Sequence, residues 1–454
     1  MKKFIFSIVL ILTALLTPNA QTVDTFLVHL MNKNAERFAT VMANPEKYRV
    51  QILYTQINRD EKNFPKFTSH SFRLNPNEYF YPASTVKFPA CIQALEKINR
   101  QKDKKFTRNS IMLTDSIDSE LTRQYTDSTN LVQNGFPSIT NYIKKILLVS
   151  DNDAFNRLFE FIGQEEFNTT LQKSGFPSTR IVHRLSLPVS QEKNKMSNAI
   201  TFIGESSWQN AYKKFVKMSS EDAPSIDKFL ALTKTNEKLV LDNVYSEPKR
   251  VSKYIFPQLK PVLLGKGEMI DGKVTDKPKD FTQKNNFPLE AQQRMLRRFI
   301  FPEATPLTEQ FNLTADDRKF MLKYMSQLPT ESVSPPYQND TSMHDNFCKY
   351  LMFGSDKNPI PNNIRIFNKI GDAYGFLTDN AYIVDFEKGV EFMLSATIYC
   401  NEDEIFNDDK YETQTIGLPF LTELGKTIYD YECARKRKLQ PNLGEFKFNY
   451  DGKK

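Results

Sequence analysis

Between residues 22 and 45, apolar side chains recur at helical spacing (Phe26, Leu27, Leu30, Met31, Phe38, Val41), which predicts an amphipathic helix. Residues 49–57 (RVQILYTQI) alternate apolar and polar, the pattern of a half-buried strand, and residues 67–74 offer it an antiparallel partner. A helix is expected from about residue 84 to 99, with Pro82 near its start, where proline is tolerated. The middle of the chain reads as helices over 139–149, 153–162 and 167–174, the last stopped by Gly175. Strands return over 364–370, 374–386 and 391–399, and a final helix over about 415–436 precedes a polar tail. Strands at both ends with helices between imply one sheet assembled from distant parts of the chain, beside a helical lobe. This is an α+β plan, and the cleft between its two parts is the natural place for a site.

Residues 203–310 fit that plan least well. They hold the only tryptophan, Trp208, several prolines, and 18 basic against 14 acidic residues. Apolar clusters at 254–256 and 261–264 argue against a linker, so the stretch reads as a folded insertion near the cleft. The first 20 residues stand apart as well: Lys2 and Lys3 precede an apolar run over 4–16, and Ala20 offers a cleavage point before Gln21. The run is of leader-peptide length and too short to span a bilayer. The expectation is an exported protein, periplasmic or secreted, cut after Ala20. No later run reaches about 18 apolar residues, so no membrane span is expected.

Composition changes this picture little. Hydrophobic residues make up 40% of the chain, enough for a sizeable core. The net charge of +7 is dispersed, which reads as solvated surface rather than a nucleic-acid footprint. Cys91, Cys348, Cys400 and Cys433 lie far apart, without a C-x-x-C pair or metal-ligand spacing. Export permits a disulfide, but no pairing can be assigned. There is no G-x-S-x-G elbow, no H-E-x-x-H pattern and no glycine-rich phosphate loop, so neither a metal nor a cofactor is expected.

The chemistry is carried by Ser84-Thr85-Val86-Lys87. A serine and a lysine three apart on a helix share one face, and a desolvated lysine can lose its proton and take one from the hydroxyl. S-x-x-K also occurs at Ser190/Lys193, Ser225/Lys228 and Ser246/Lys249, but only Ser84/Lys87 opens a strongly apolar helix. Alone it could equally be a helix-start serine with an exposed lysine. Ser150-Asp151-Asn152 occurs once, and alone it would read as a capping loop. Its functional reading makes Ser150 a proton relay and Asn152 a hydrogen-bonding partner of substrate and lysine. Lys369-Ile370-Gly371 lies on an expected strand, where the lysine could hold an anion and the glycine would let substrate backbone approach.

S-x-x-K, then S-D-N, then K-x-G in this order resembles the class A β-lactamases and penicillin-binding proteins. The resemblance covers residues 22–202 and 311–437. It implies a five-stranded antiparallel sheet flanked by helices, giving a β-lactamase/transpeptidase-like domain over 21–202 and 311–437, an insertion over 203–310 and a tail over 438–454. It further implies Ser84 as the acylated nucleophile, Lys87 as base, Ser150 as proton shuttle, and Asn152, Lys369 and Gly371 as substrate contacts. The oxyanion hole would use the N–H groups of Ser84 and of a residue near Ala373. The substrate would be a small molecule or peptidoglycan-type compound.

Three features depart from the family pattern. Ile370 stands where the family has a hydroxyl residue, and Asp372 adds a negative charge where a substrate carboxylate would lie. A literal Lys-Ser-Gly at 173–175 follows S-D-N too closely and reads as a helix cap. The family's E-x-x-L-N loop has no counterpart in residues 180–187 (RIVHRLSL). Glu192 is the remaining candidate for a deacylation base, although a solvated loop carboxylate is the better reading of it, and His183 could equally fix the loop. The gap from S-D-N to the third motif is also far longer. The leading expectation is an exported serine hydrolase acting on a β-lactam, ester or amide. The alternatives are a D,D-peptidase or esterase with slow deacylation, and a non-catalytic envelope-binding or sensor protein.

Overall fold

Strands from both ends of the chain do meet in one antiparallel sheet. The computed structural model describes residues 24–218, 226–235, 241, 243–257 and 259–452; the leader reading of residues 1–20 lies outside them. Two short helices, α1 (Phe26–Lys33) and α2 (Ala35–Met42), replace the single one expected. The break is Asn34, whose side chain donates to Leu30 O at 3.0 Å and so competes with helical bonding. After β1 (Gln51–Arg59) and β2 (Pro65–Phe72), a 3₁₀ turn over Ala83–Val86 leads into α3 (Lys87–Asn99). There follow β3 (Ile111–Thr114), α4 (Ile139–Val149), α5 (Asn152–Ile162), α6 (Gln164–Lys173), β4 (Ile200–Ile203) and β5 (Val244–Glu247). Of the later elements, those that build the main sheet and its cover are α7 (Leu289–Ile300), α8 (Ala315–Ser326), β6 (Ile364–Ala373), β7 (Phe376–Asp385), β8 (Val390–Tyr399) and α9 (Leu418–Ala434).

The sheet order is β6-β7-β8-β1-β2. Every residue of β7 and β8 is buried, because helices cover both faces. On one face Leu27, Phe38, Leu424 and Ile428 of α1, α2 and α9 share a core with Ile52, Phe392 and Leu394. On the other, Met295 and Phe299 of α7 join the lobe built from α3 to α6 around Tyr382, Val384 and Met393.

Two segments differ from the sequence reading. Helix α7 falls inside the stretch read as an insertion, yet it lies directly on the sheet: Gln293 donates to Leu53 O (2.7 Å) and to Ser395 Oγ (2.9 Å). Its apolar stripe, Met295, Leu296 and Phe299, carried that information. Farther upstream, Trp208 and Phe229 form a satellite core with Ile111, Phe136 and Ile203 beside the small sheet β3-β4-β5. The polar tail is likewise packed. Leu443 and Phe446 are buried in the main core, and the Phe446 ring meets Tyr382 at 4.9 Å between centroids. Phe448 packs against the same core, so a few aromatic and apolar anchors dock a segment whose average composition is polar. All four cysteines are free thiols.

Candidate active site

Four segments bring polar side chains together at Ser84. The turn that carries it is tight: Thr85 N–H and Thr85 Oγ1 both donate to Pro82 O, at 3.1 and 2.7 Å. Ala83 sits at φ +45°, a left-handed conformation costly for a residue with a Cβ. Ser84 itself is half-buried. Its N–H, at the start of a helical turn, has no hydrogen-bond partner among the described residues.

The first turn of α3 supplies Lys87, which is fully buried. Its Nζ lies 2.8 Å from Ser84 Oγ, 2.6 Å from Asn152 Oδ1 and 3.2 Å from Ser150 Oγ, and it also donates to Ser150 O. Burial first, and then the nearby positive charge of Lys369, hold this amine well below its ordinary value. An amine lowered in this way is neutral over more of the pH range than an exposed lysine and can then accept a proton from Ser84.

The S-D-N turn joins α4 to α5. Ser150 ends α4 at φ +59°, and Asp151 caps α5 by accepting from Ala154 N–H at 2.7 Å. Lys145 Nζ lies 3.5 Å from both the Asp127 and the Asp151 carboxylates and so anchors the turn. Asn152 faces two ways, with Oδ1 toward Lys87 and Nδ2 donating to Ser186 Oγ at 2.8 Å.

Strand β6 completes the network. Lys369 Nζ donates to Ser150 Oγ at 2.7 Å and to Ile370 O at 3.0 Å, and burial pulls its amine down to about 8. Behind it, buried Lys349 donates to Asn368 Oδ1 (2.7 Å), and Asn368 Nδ2 donates to Asp379 Oδ1 (2.8 Å). Gly371 lies against the Ser84 turn: a Cβ there would stand 2.5 Å from Pro82 O. Asp372 reaches solvent, yet the protein crowded around it pushes its carboxyl up to about 6. Ala373 ends the strand beside the cluster that includes Tyr81 and Ala83.

Ser84, Lys87, Ser150, Asn152 and Lys369 are therefore joined in one hydrogen-bonded chain. The literal Lys173-Ser174-Gly175 ends α6 and has no part in it. Nor does Glu192, whose exposed carboxylate accepts from Lys195 Nζ at 2.8 Å. His183 is held neutral: burial pushes its imidazole down to about 4, Nδ1 lies 2.6 Å from Arg184 O, and Nε2 accepts from Asn285 N–H at 3.3 Å. It fixes the loop.

That loop is also held by a buried ion pair. Arg184 donates to Glu160 Oε1 through Nε (3.2 Å) and Nη2 (3.0 Å), while Asn198 Nδ2 donates to Glu160 Oε2 at 3.0 Å. Glu160→Ala would leave a fully buried guanidinium unpaired, so a loss of about 3–5 kcal/mol is expected in denaturant unfolding. Arg184→Met, which removes the charge and keeps most of the volume, should cost more than the apolar exchange itself only to the extent that Glu160 is left unpaired. Ser186 lies inside the stretch compared with the E-x-x-L-N loop but is not singled out there, and Asn285 sits at no motif spacing.

Residues 33–222 match the model of the β-lactamase enzyme family. Over that stretch the chain resembles the β-lactamase enzyme family. The match supports, in general terms, a serine hydrolase. It is similar to the solved structure of a β-lactamase from Xanthomonas campestris pv. campestris (13% identity, 88% of this chain and 98% of that one, TM-score 0.45). It is also similar to a class A β-lactamase from Clostridium kluyveri (12% identity, 89% and 98%, TM-score 0.43) and to PBP-A (14% identity, 88% and 96%, TM-score 0.43). No curated protein matches the chain. Among the described residues, no helix is long and apolar enough to cross a membrane, and no group of three or more His, Cys, Asp or Glu side chains could hold a metal.

Proposed function

We propose that this β-lactamase-like chain is an exported serine hydrolase acylated at Ser84, acting on a β-lactam, ester or amide. The observation that carries the reading is the continuous hydrogen-bonded path from Ser84 Oγ through Lys87 Nζ and Ser150 Oγ to Lys369 Nζ. Lys87, neutral, takes the Ser84 proton as Oγ bonds to the substrate carbonyl carbon. The oxyanion forms at the free Ser84 N–H, with a second N–H near Ala373. As the C–N or C–O bond breaks, the proton passes from Lys87 through Ser150 to the leaving group. Water then hydrolyses the ester and restores Ser84. The apolar leader over residues 4–16 supports export.

Deacylation is the weak step. The position beside Asn152 Nδ2 is occupied by the Ser186 hydroxyl, which is a poor base, and Glu192 is committed to Lys195 at the surface. This favours a slow-turnover acylating enzyme, of the D,D-peptidase or esterase type, over a fast β-lactamase. With nitrocefin the expected result is a burst of about one equivalent followed by little turnover. Sustained rapid hydrolysis would reject slow deacylation. Absence of any adduct on the intact protein, across a panel of β-lactams and activated esters, would leave only a non-catalytic binding protein.

A further inference from the structure

A cavity of about 520 Å³ beside the network takes no part in the chemistry above. Its walls include Tyr81, His183, Ser186, Asp280, Lys284 and Tyr374. It borders the reacting centre closely. Ser186 accepts from Asn152, Tyr81 lies three residues ahead of Ser84, and Tyr374 follows directly on β6.

The wall that carries Lys284 is rigidly built. Arg180 donates to Thr282 O (2.8 Å) and Lys284 O (3.1 Å), and its backbone pairs with that of Asn286 in both directions at 2.9 Å. Fully buried Asn285 accepts from Val182 N–H at 2.7 Å, and Tyr79 OH donates to Asn285 O at 2.9 Å. Lys284 is thus presented to the cavity on a fixed backbone. Its half-buried ammonium has no hydrogen bond or ion pair among the described residues. Asp280 shares the wall, but its carboxylate is turned to the Thr282 N–H at 2.7 Å.

Strand β6 carries the opposite sign at Asp372. There Ile370 supplies no side-chain donor, and the Asp372 carboxylate, solvent-facing, has no partner among the described residues. In the proposed mechanism the leaving group takes its proton from Ser150, whereas the cavity joins the network through Asn152 and Ser186.

We infer that Lys284 forms an anion subsite for the acyl portion of the substrate, so that the preferred donors carry a carboxylate or similar anion on the acyl side and none on the leaving group. This rests on the proposed acylation of Ser84 for its orientation, but not for the existence of the subsite. An unpaired, partly desolvated ammonium gains a charge-assisted hydrogen bond from such a group. Next to Asp372, an anionic leaving group meets a like charge.

The test compares acylation by 4-nitrophenyl hydrogen adipate with that by 4-nitrophenyl hexanoate, followed by nitrophenolate release and intact mass. The native chain should prefer the adipate by about tenfold. Lys284→Gln should abolish the preference while the hexanoate rate holds, and Lys284→Glu should reverse it. Asp372→Asn should speed acylation by 3-carboxyphenyl hexanoate, whose charge leaves with the phenol. Independently of any chemistry, the Ser84→Ala protein should bind adipate mono-benzylamide by calorimetry, about tenfold more tightly than the Ser84→Ala, Lys284→Gln double variant. Adducts at Ser84 with equal rates for both esters, whatever stands at 284, would overturn the subsite and leave the nucleophile in place. Lys284-dependent binding without any adduct would keep the subsite and remove the nucleophile.

Discussion

Ser84→Ala is expected to eliminate covalent labelling by penicillin or fluorophosphonate probes, and Lys87→Met to slow labelling by about 10²–10⁴-fold, the range of a positioned general base. Methionine keeps the volume of a buried lysine, so near-native thermal unfolding of that variant would separate lost chemistry from lost structure. Undiminished labelling in Ser84→Ala would end the mechanism. The pH profile sharpens the test. The base is the neutral amine, so acylation should rise with pH through the Lys87 value. Burial and the Lys369 charge lower that value, so the limb should lie below lysine's ordinary 10.5. Lys369 titrates at about 8, so below that pH it is charged and opposes protonation of Lys87. Lys369→Met removes this repulsion and should move the limb to higher pH. A shift to lower pH would contradict the coupling of the two amines.

The second large effect is expected at Gly371, a residue that carries no chemistry of its own. Its backbone approaches the Ser84 turn so closely that a Cβ would stand 2.5 Å from Pro82 O and 3.1 Å from Thr85 Cγ2. The first of these neighbours is backbone, and the turn is already strained at Ala83. Gly371→Val must therefore push β6 and the turn apart, separating Ser84 Oγ from the Lys369–Ser150 arm. Misplacement by about 1 Å costs on the order of 10²-fold in rate, so acylation should fall by at least that much. Circular dichroism should stay native-like, because the sheet keeps its pairing over β7, β8, β1 and β2. Acylation at the native rate in Gly371→Val would mean that the turn and the strand do not need each other.

Much of the plan was legible in the chain. The alternation over 49–57 and the apolar strands near the C-terminus located four of the five strands of the sheet, and 67–74 approximated the other. Ser84 and Lys87 could be chosen among four S-x-x-K occurrences because only they open an apolar helix. The helix expected from residue 84 begins at Lys87 instead, since the Ser84 segment tightens into a 3₁₀ turn. Helix α7 was read as part of an insertion because its neighbours in sequence obscured a stripe that matches the sheet.

The sequence by itself determined what depends on near neighbours: the element order, a serine and a lysine one turn apart, and a capping turn between two helices. Those follow from helix and strand periods, which act over a few residues. Only the tertiary structure decided which distant groups share the site. Lys369 reaches Ser150 across 219 residues, and Arg180 clamps the Lys284 backbone across 104. It also decided that Glu192 faces Lys195 rather than the network, and that Lys87 is stripped of water. Such contacts, and the desolvation that sets a lysine's charge, arise from packing between segments, which no local spacing encodes.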